Sequence, residues 1–195
     1  MKRLGFDLII LGSPASGKDT QADLLMNYYD LKPIRSGEYL RRLRENPRYK
    51  KIFKQTYDKG LPVPSKIIDD FIKKAVERAP KSKNLLFVGN PRLKNEAILL
   101  KKMLDKKKRD FFALYIRLPD ALIKKRSFHR DREKSDLDMG YIKSRIKYHK
   151  KQVMETIKYF QKFNKVKFIN GNQDIIKVAL DMKKKIDDYK RSKRN

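Results

Sequence analysis

Residues Phe6 to Leu25 read FDLIILGSPASGKDTQADLL. Leu8, Ile9, Ile10 and Leu11 make a short, wholly apolar run, as a strand buried on both faces requires. Gly12 ends the run, and Gly12, Gly17 and Lys18 have the spacing G-x-x-x-x-G-K. Ala22, Leu24, Leu25 and Tyr28 then recur as on a helix face. Strand, glycine-bounded loop and helix together make a cradle for phosphate. The loop backbone turns its N–H groups toward oxygens, and the helix N-terminus adds partial positive charge. The binding set is therefore Gly12, Ser13, Pro14, Ala15, Ser16, Gly17, Lys18, Asp19 and Thr20. Lys18 reaches the outer phosphates of a nucleoside triphosphate and Thr20 the inner ones. The strict pattern places Ser or Thr where Asp19 stands. The simpler alternative is a glycine-rich turn followed by a chance lysine.

Outward from this stretch, 195 residues suffice for one α/β domain with a sizeable core. There is no Cys, which excludes disulfides and a thiolate-held zinc and makes a reducing, cytoplasmic compartment the expectation. The apolar run after Met1-Lys-Arg is too short for a signal-peptide core, and no segment approaches a membrane span. Lys and Arg total 51 against 23 Asp and Glu, a formal net charge of +28. Such a surface attracts polyanions, from nucleotides to RNA. Much of the excess is Lys scattered along helical segments, such as Lys106, Lys107, Lys108, Lys183, Lys184 and Lys185, without an aromatic-rich nucleic-acid motif. Solvated helix faces are the favoured reading over a nucleic-acid site.

Four further strands are expected: Pro33 to Arg35, Leu85 to Val88, Phe111 to Ile116, and Val166 to Asn170. Helices are expected between them: Tyr39 to Arg44 capped by Ser36, Tyr49 to Tyr57, a third from Ser65 closed by Pro80, and others after Gly89-Asn-Pro-Arg92, Pro119, Asp138 and Gly171. The last is marked by Ile175, Ile176, Val178, Leu180 and Ile186. The charged stretch HRDREKSDLD, residues 129–138, reads as a solvated loop. Alternating strands and helices predict a five-stranded parallel sheet with helices on both faces, ligands lying at the carboxyl ends of the strands.

Several motifs, in order along nearly the whole chain, resemble the adenylate kinase family of nucleoside monophosphate kinases. Gly12-Ser-Pro-Ala-Ser-Gly-Lys-Asp-Thr-Gln21 is similar to G-x-P-x-x-G-K-G-T-Q, and Arg35-Ser-Gly-Glu-Tyr-Leu-Arg41 to S-T-G-D-x-L-R. Gly60-Leu-Pro-Val63 resembles the base-contacting G-x-x-V connector, and Gly89-Asn-Pro-Arg92 resembles G-F-P-R. Pro119-Asp120 with Arg126 and Arg130 resembles the approach to the lid, with Arg145 on the helix after it. The resemblance implies a P-loop NTPase three-layer sandwich in a single domain. It further implies a helical insertion for the monophosphate at about 36–64 and a short, zinc-free lid at about 129–138.

The implied reaction is reversible phosphoryl transfer from Mg-ATP to a monophosphate, AMP first among the candidates, by a monomer. Lys18, Arg92, Arg126, Arg130 and Arg145 would be catalytic, and Arg126 and Gly171 would join the ATP set. Ser36, Arg41, Val63, Gly89, Arg92, Glu96, Lys134 and Arg145 would hold the monophosphate. Three departures stand out. Glu96 occupies the place of the family's adenine-reading Gln, and a carboxylate, which only accepts hydrogen bonds, suits guanine better. Val88 occupies the place of the acidic residue of the magnesium shell, and Asp19 is the carboxylate that could replace it. Lys134-Ser-Asp136-Leu137 stands at the family's R-x-D-D. The rivals are the same chemistry on GMP or another base, and a weakened P-loop protein that binds RNA through its basic surface.

Overall fold

A computed structural model describes residues 1–128 and 139–193. The expected lid at 129–138, with Arg130 and Lys134, lies outside the described residues. Five strands are present: β1 (Asp7–Gly12), β2 (Leu31–Arg35), β3 (Asn84–Val88), β4 (Phe111–Arg117) and β5 (Val166–Asn170). All pair in parallel in the order β2-β3-β1-β4-β5. Chain order reverses on either side of β1, which sets the phosphate loop at the switch point of an open α/β sheet.

The helices are α1 (Lys18–Met26), α2 (Ser36–Arg44), α3 (Lys50–Gln55), α4 (Ser65–Glu77), α5 (Lys94–Lys106), α6 (Asp120–Phe128), α7 (Met139–Tyr148), α8 (Met154–Gln161) and α9 (Ile175–Ser192). Side chains alternate across each strand, so the sheet builds two cores. On one face Ile9, Leu11, Phe87, Ala113 and Tyr115 pack under Ile72 and Val76 of α4, Leu100 and Leu104 of α5, and Ile157 and Phe160 of α8. On the other, Leu8, Ile10, Val88, Leu114 and Ile116 meet Leu25 of α1 and Val178, Met182 and Ile186 of α9. This is the expected three-layer α/β sandwich. Opposite the ligand end, Asp7 is fully buried and salt-bridged to Arg109 at 2.6 Å, and its Oδ1 accepts the Leu85 N–H at 2.7 Å.

Two expectations need correction. The helix expected over Tyr49 to Tyr57 ends at Gln55, and a separate 3-10 turn, Tyr57–Lys59, leads to Gly60 in the left-handed conformation (φ 71°). The final helix expected from Ile175, Ile176, Val178, Leu180 and Ile186 is present as α9, with Ile175, Ile176 and Leu180 exposed at 58, 57 and 52 %. The core register of α9 runs through 178, 182 and 186, and Ile176 and Leu180, each two residues from it, fall on the opposite side of the helix. The long helix after the lid is interrupted by a π-helical segment, His149–Val153, between α7 and α8. The extra residue in that turn was not visible as a break in apolar periodicity. Among the described residues no helix is long and apolar enough to cross a membrane.

Candidate active site

The loop between β1 and α1 needs its glycines for two different reasons. A Cβ on Gly12 would lie 2.7 Å from the Ser16 hydroxyl and 2.8 Å from the Ile116 carbonyl oxygen, so only Gly fits between loop and β4. Gly17 is the N-cap of α1 at φ 81°, where a side chain is strained. Lys18 folds back across the loop. Its Nζ donates to the carbonyls of Gly12 at 3.1 Å and Ser13 at 2.8 Å and lies 3.5 Å from Ser16 Oγ. The ammonium is thereby held over the cradle, where a phosphate oxygen can exchange with a carbonyl as its partner. Thr20 is exposed on the first turn of α1.

β3 ends beside this loop. Gly89, at φ 78°, has Arg92 Nη2, Ser36 Oγ and Lys18 Cε each within 3.9 Å of where its Cβ would be. The structure therefore gathers Lys18, Ser36, Gly89 and Arg92 from three separate segments: the start of α1, the start of α2 and the turn after β3. The Arg92 Nε donates to the Gly89 carbonyl at 2.8 Å, which fixes the guanidinium plane. Arg145 of α7 lines the same cleft as Gly12, Pro14, Lys18, Gly89 and Arg92. Gly60 closes one wall, because a Cβ there would sit 2.8 Å from the Tyr141 carbonyl oxygen and 2.9 Å from Arg145 Cγ. On the other side of the loop, Arg126 of α6 donates to the Gly171 carbonyl at 3.3 Å, joining two residues expected at the ATP end. Arg41 is exposed on α2, outside the lining of the cleft.

A second, more apolar cavity adjoins the cleft through Arg92. Leu40, Leu61, Val63 and Ile68 form its walls, with Ser36, Asn90, Glu96 and Tyr148 as its polar groups. Here the expectation for Glu96 is corrected. Its Oε2 accepts the backbone N–H groups of Arg92 at 2.8 Å and Leu93 at 3.2 Å. This is one half of a capping box at the start of α5, and it takes the oxygen that was to read a base. Burial raises the Glu96 pKa, and those two hydrogen bonds partly offset the rise. Tyr148 is also buried, its pKa pushed up to about 12.

Asp19, expected as a carboxylate near the metal, lies beside an arginine. Its Oδ1 lies 3.8 Å from Arg35, but Arg35 contacts Asp23 much more closely and Glu38 at 3.5 Å. Asp19 is thus the most distant of three carboxylates around one guanidinium. Val88 is buried in the core beside β1 and supplies no oxygen from its side chain.

Sequence reasoning missed the aromatic and imidazole groups of the site. His149 lines the cleft and hydrogen-bonds Tyr115 at 2.7 Å. Burial, with Lys18, Arg92 and Arg145 adding positive field, pulls its pKa down to about 3. The missed polar group of the second cavity is Asn90. The signal for it was present: a polar amide standing inside G-F-P-R at the place of the Phe.

A glycine-bounded phosphate loop at a switch point, faced across one cleft by a lysine and two arginines, defines a nucleotide-binding phosphotransfer protein. The family model for adenylate kinase matches residues 10–165. An adenylate kinase of Leuconostoc mesenteroides is 29% identical over 183 residues, covering 93% of this chain and 97% of its own length. One of Parabacteroides distasonis is 29% identical over 188 residues, 94% of this chain and 99% of its own. One of Trichodesmium erythraeum is 28% identical over 187 residues, 92% and 97% respectively. The chain belongs to the adenylate kinase family and is a phosphotransferase of the nucleoside monophosphate kinase class.

Proposed function

We propose that the protein transfers the terminal phosphoryl group of ATP to AMP, giving two ADP. The observation that carries this reading is the meeting of Lys18, Ser36 and Arg92 around Gly89, between the phosphate loop and the apolar second cavity. ATP lies with its phosphates on the loop from Gly12 to Thr20 and its base toward Arg126 and Gly171. The monophosphate base enters the second cavity beside Val63, and its phosphate faces Arg92, with Arg41 closing from α2. The insertion at about 36–64 carries that half of the site. Phosphoryl transfer has a loose, anionic transition state, so positioning and neutralisation do most of the work. Lys18 holds the transferring phosphate oxygens. Arg92 and Arg145, forks with fixed planes, bind oxygens of donor and acceptor together. Arg130 and Lys134 are proposed to come over the phosphates from the segment at 129–138, excluding water that would otherwise hydrolyse ATP.

A magnesium ion, if held there, would neutralise charge on the outer phosphates. It keeps most of its waters and needs few protein oxygens. No cluster of three acidic, His or Cys side chains able to hold a metal is found among the described residues. Asp19, the outermost partner of Arg35, is the carboxylate on the phosphate loop placed to contribute. We further propose a cytoplasmic monomer whose basic surface is solvated. The test is production of ADP from ATP and AMP, measured beside GMP, CMP and UMP. AMP should give the highest kcat/KM. Failure to form any diphosphate would overturn the reading.

A further inference from the structure

Asn90 is 1 % exposed, yet neither its Oδ1 nor its Nδ2 has a hydrogen-bond partner among the described residues. Burying an amide with both ends unpaired is costly, and native proteins keep such groups only where something offsets the cost. Asn90 lines the second cavity, facing the same space as Val63, Ser36 and Glu96. Just beyond it the chain turns through Pro91 to Arg92, whose guanidinium is fixed on Gly89.

We propose that Asn90 is the residue that recognises the base, pairing as a two-point amide with the amino-bearing edge of adenine. This rests on the reading of that cavity as the monophosphate site. Oδ1 accepts from the exocyclic amino group and Nδ2 donates to the neighbouring ring nitrogen, the pairing by which an amide matches adenine. Glu96 cannot make this pairing, since a carboxylate has no donor and one of its oxygens already caps α5. Guanine would ask for two acceptors opposite its ring N–H and amino group, and that engaged oxygen is the one Glu96 would have to give. The amide this chain lacks at 96 is thus supplied six residues earlier, from the turn after β3. The expectation of guanine tolerance from Glu96 is withdrawn in favour of adenine.

The experiment compares AMP with purine riboside 5′-monophosphate, which has the same ring nitrogens and no amino group. Dissociation constants are measured by calorimetry, and kcat/KM with Mg-ATP, for the wild type, Asn90→Leu and Asn90→Asp. The wild type should bind AMP roughly 10-fold to 100-fold more tightly. Asn90→Leu, similar in volume and apolar, should erase that gap through KM while kcat at saturation changes little. The ligand-free Asn90→Leu protein should also melt at a higher temperature, because the unpaired amide is gone. Asn90→Asp, which keeps the acceptor and loses the donor, should bind both nucleotides more weakly than the wild type while keeping the gap. Equal affinity of the wild type for both nucleotides, or a gap that survives in Asn90→Leu, overturns the proposal. If Asn90→Leu fails to fold, an affinity of Asn90→Asp for both nucleotides equal to that of the wild type overturns it, and a parallel loss for both supports it. If no diphosphate forms from any monophosphate, the kinase reading falls, and the binding gap still decides the role of Asn90.

Discussion

The Tyr115 hydroxyl lies 2.7 Å from Nε2 of His149, and the two rings stack at 18° with centroids 5.7 Å apart. The pair joins β4, in the middle of the sheet, to the π-helical turn that follows Arg145. Burial raises the Tyr115 pKa, so the phenol keeps its proton, and one hydrogen bond joins it to the neutral imidazole. The contact runs behind the phosphate loop, with Ser13 also touching the phenol. It fixes α7, and with it Arg145, relative to Lys18.

The first prediction follows from that imidazole. His149 stays neutral in the folded protein down to about pH 3, whereas in the unfolded chain it takes a proton below about pH 6.5. The unfolded state therefore binds more protons between these values. This contribution to stability is complete above the unfolded pKa and is lost as pH falls toward the folded one. Melting curves at pH 7 and pH 5 should show a smaller drop for His149→Gln than for the wild type. Equal drops would mean that His149 is accessible to protons in the native state.

Glu96→Gln is expected to separate capping from charge. Gln can accept the same two N–H groups, so the cap survives. Because burial raises the Glu96 pKa, its favourable contribution is complete below the unfolded value and is lost as pH rises through the folded one. Glu96→Gln should therefore be more stable than the wild type at pH 7, with the difference vanishing near pH 4. Glu96→Ala should lose about 0.5–2 kcal/mol at the helix start. Urea unfolding at the two pH values measures both.

Gly60→Ala should destabilise the protein by about 1–3 kcal/mol, because it strains a left-handed residue and drives a methyl group into the Tyr141 carbonyl. Since Arg145 Cγ is the other neighbour, kcat should fall as well. A variant as stable and active as the wild type would show that the insertion and α7 are not in register as described.

Magnesium titrations address Asp19. Asp19→Gly should raise the magnesium concentration giving half-maximal rate, and adding Val88→Asp should recover part of the loss. An unchanged magnesium requirement in Asp19→Gly would assign the carboxylate to Arg35 alone.

Much of this architecture could be read from the chain because local and global signals agree in it. The buried strands are near-continuous apolar runs, the phosphate loop is bounded by Gly12 and Gly17, and Arg92 and Gly171 follow strand ends as expected. What could not be read depends on partners distant in sequence. Glu96 looked like a base reader until its neighbours Arg92 and Leu93 turned their N–H groups onto it. Ile176 and Leu180 mark α9 by residue type, but that type does not reveal that they lie on its exposed side. His149 gives no signal without Tyr115, 34 residues away. Asn90 is informative only once its burial and missing partners are known.

The surface charge makes its own prediction. If the lysines are solvated, kinase activity should persist in moderate salt and RNA should bind weakly, whereas a specific polyanion role needs tight binding that falls steeply with salt through counterion release. Submicromolar RNA affinity at physiological salt would favour a nucleic-acid role.

The central claim is tested most directly by following ADP formed from ATP and AMP, with and without magnesium, in the wild type and in Lys18→Met. The wild type should form two ADP for each ATP and AMP consumed, only with magnesium. Lys18→Met, folded by circular dichroism, should be slower by about 100-fold or more. A wild type that forms no ADP, or a Lys18→Met variant as fast as the wild type, would contradict the account.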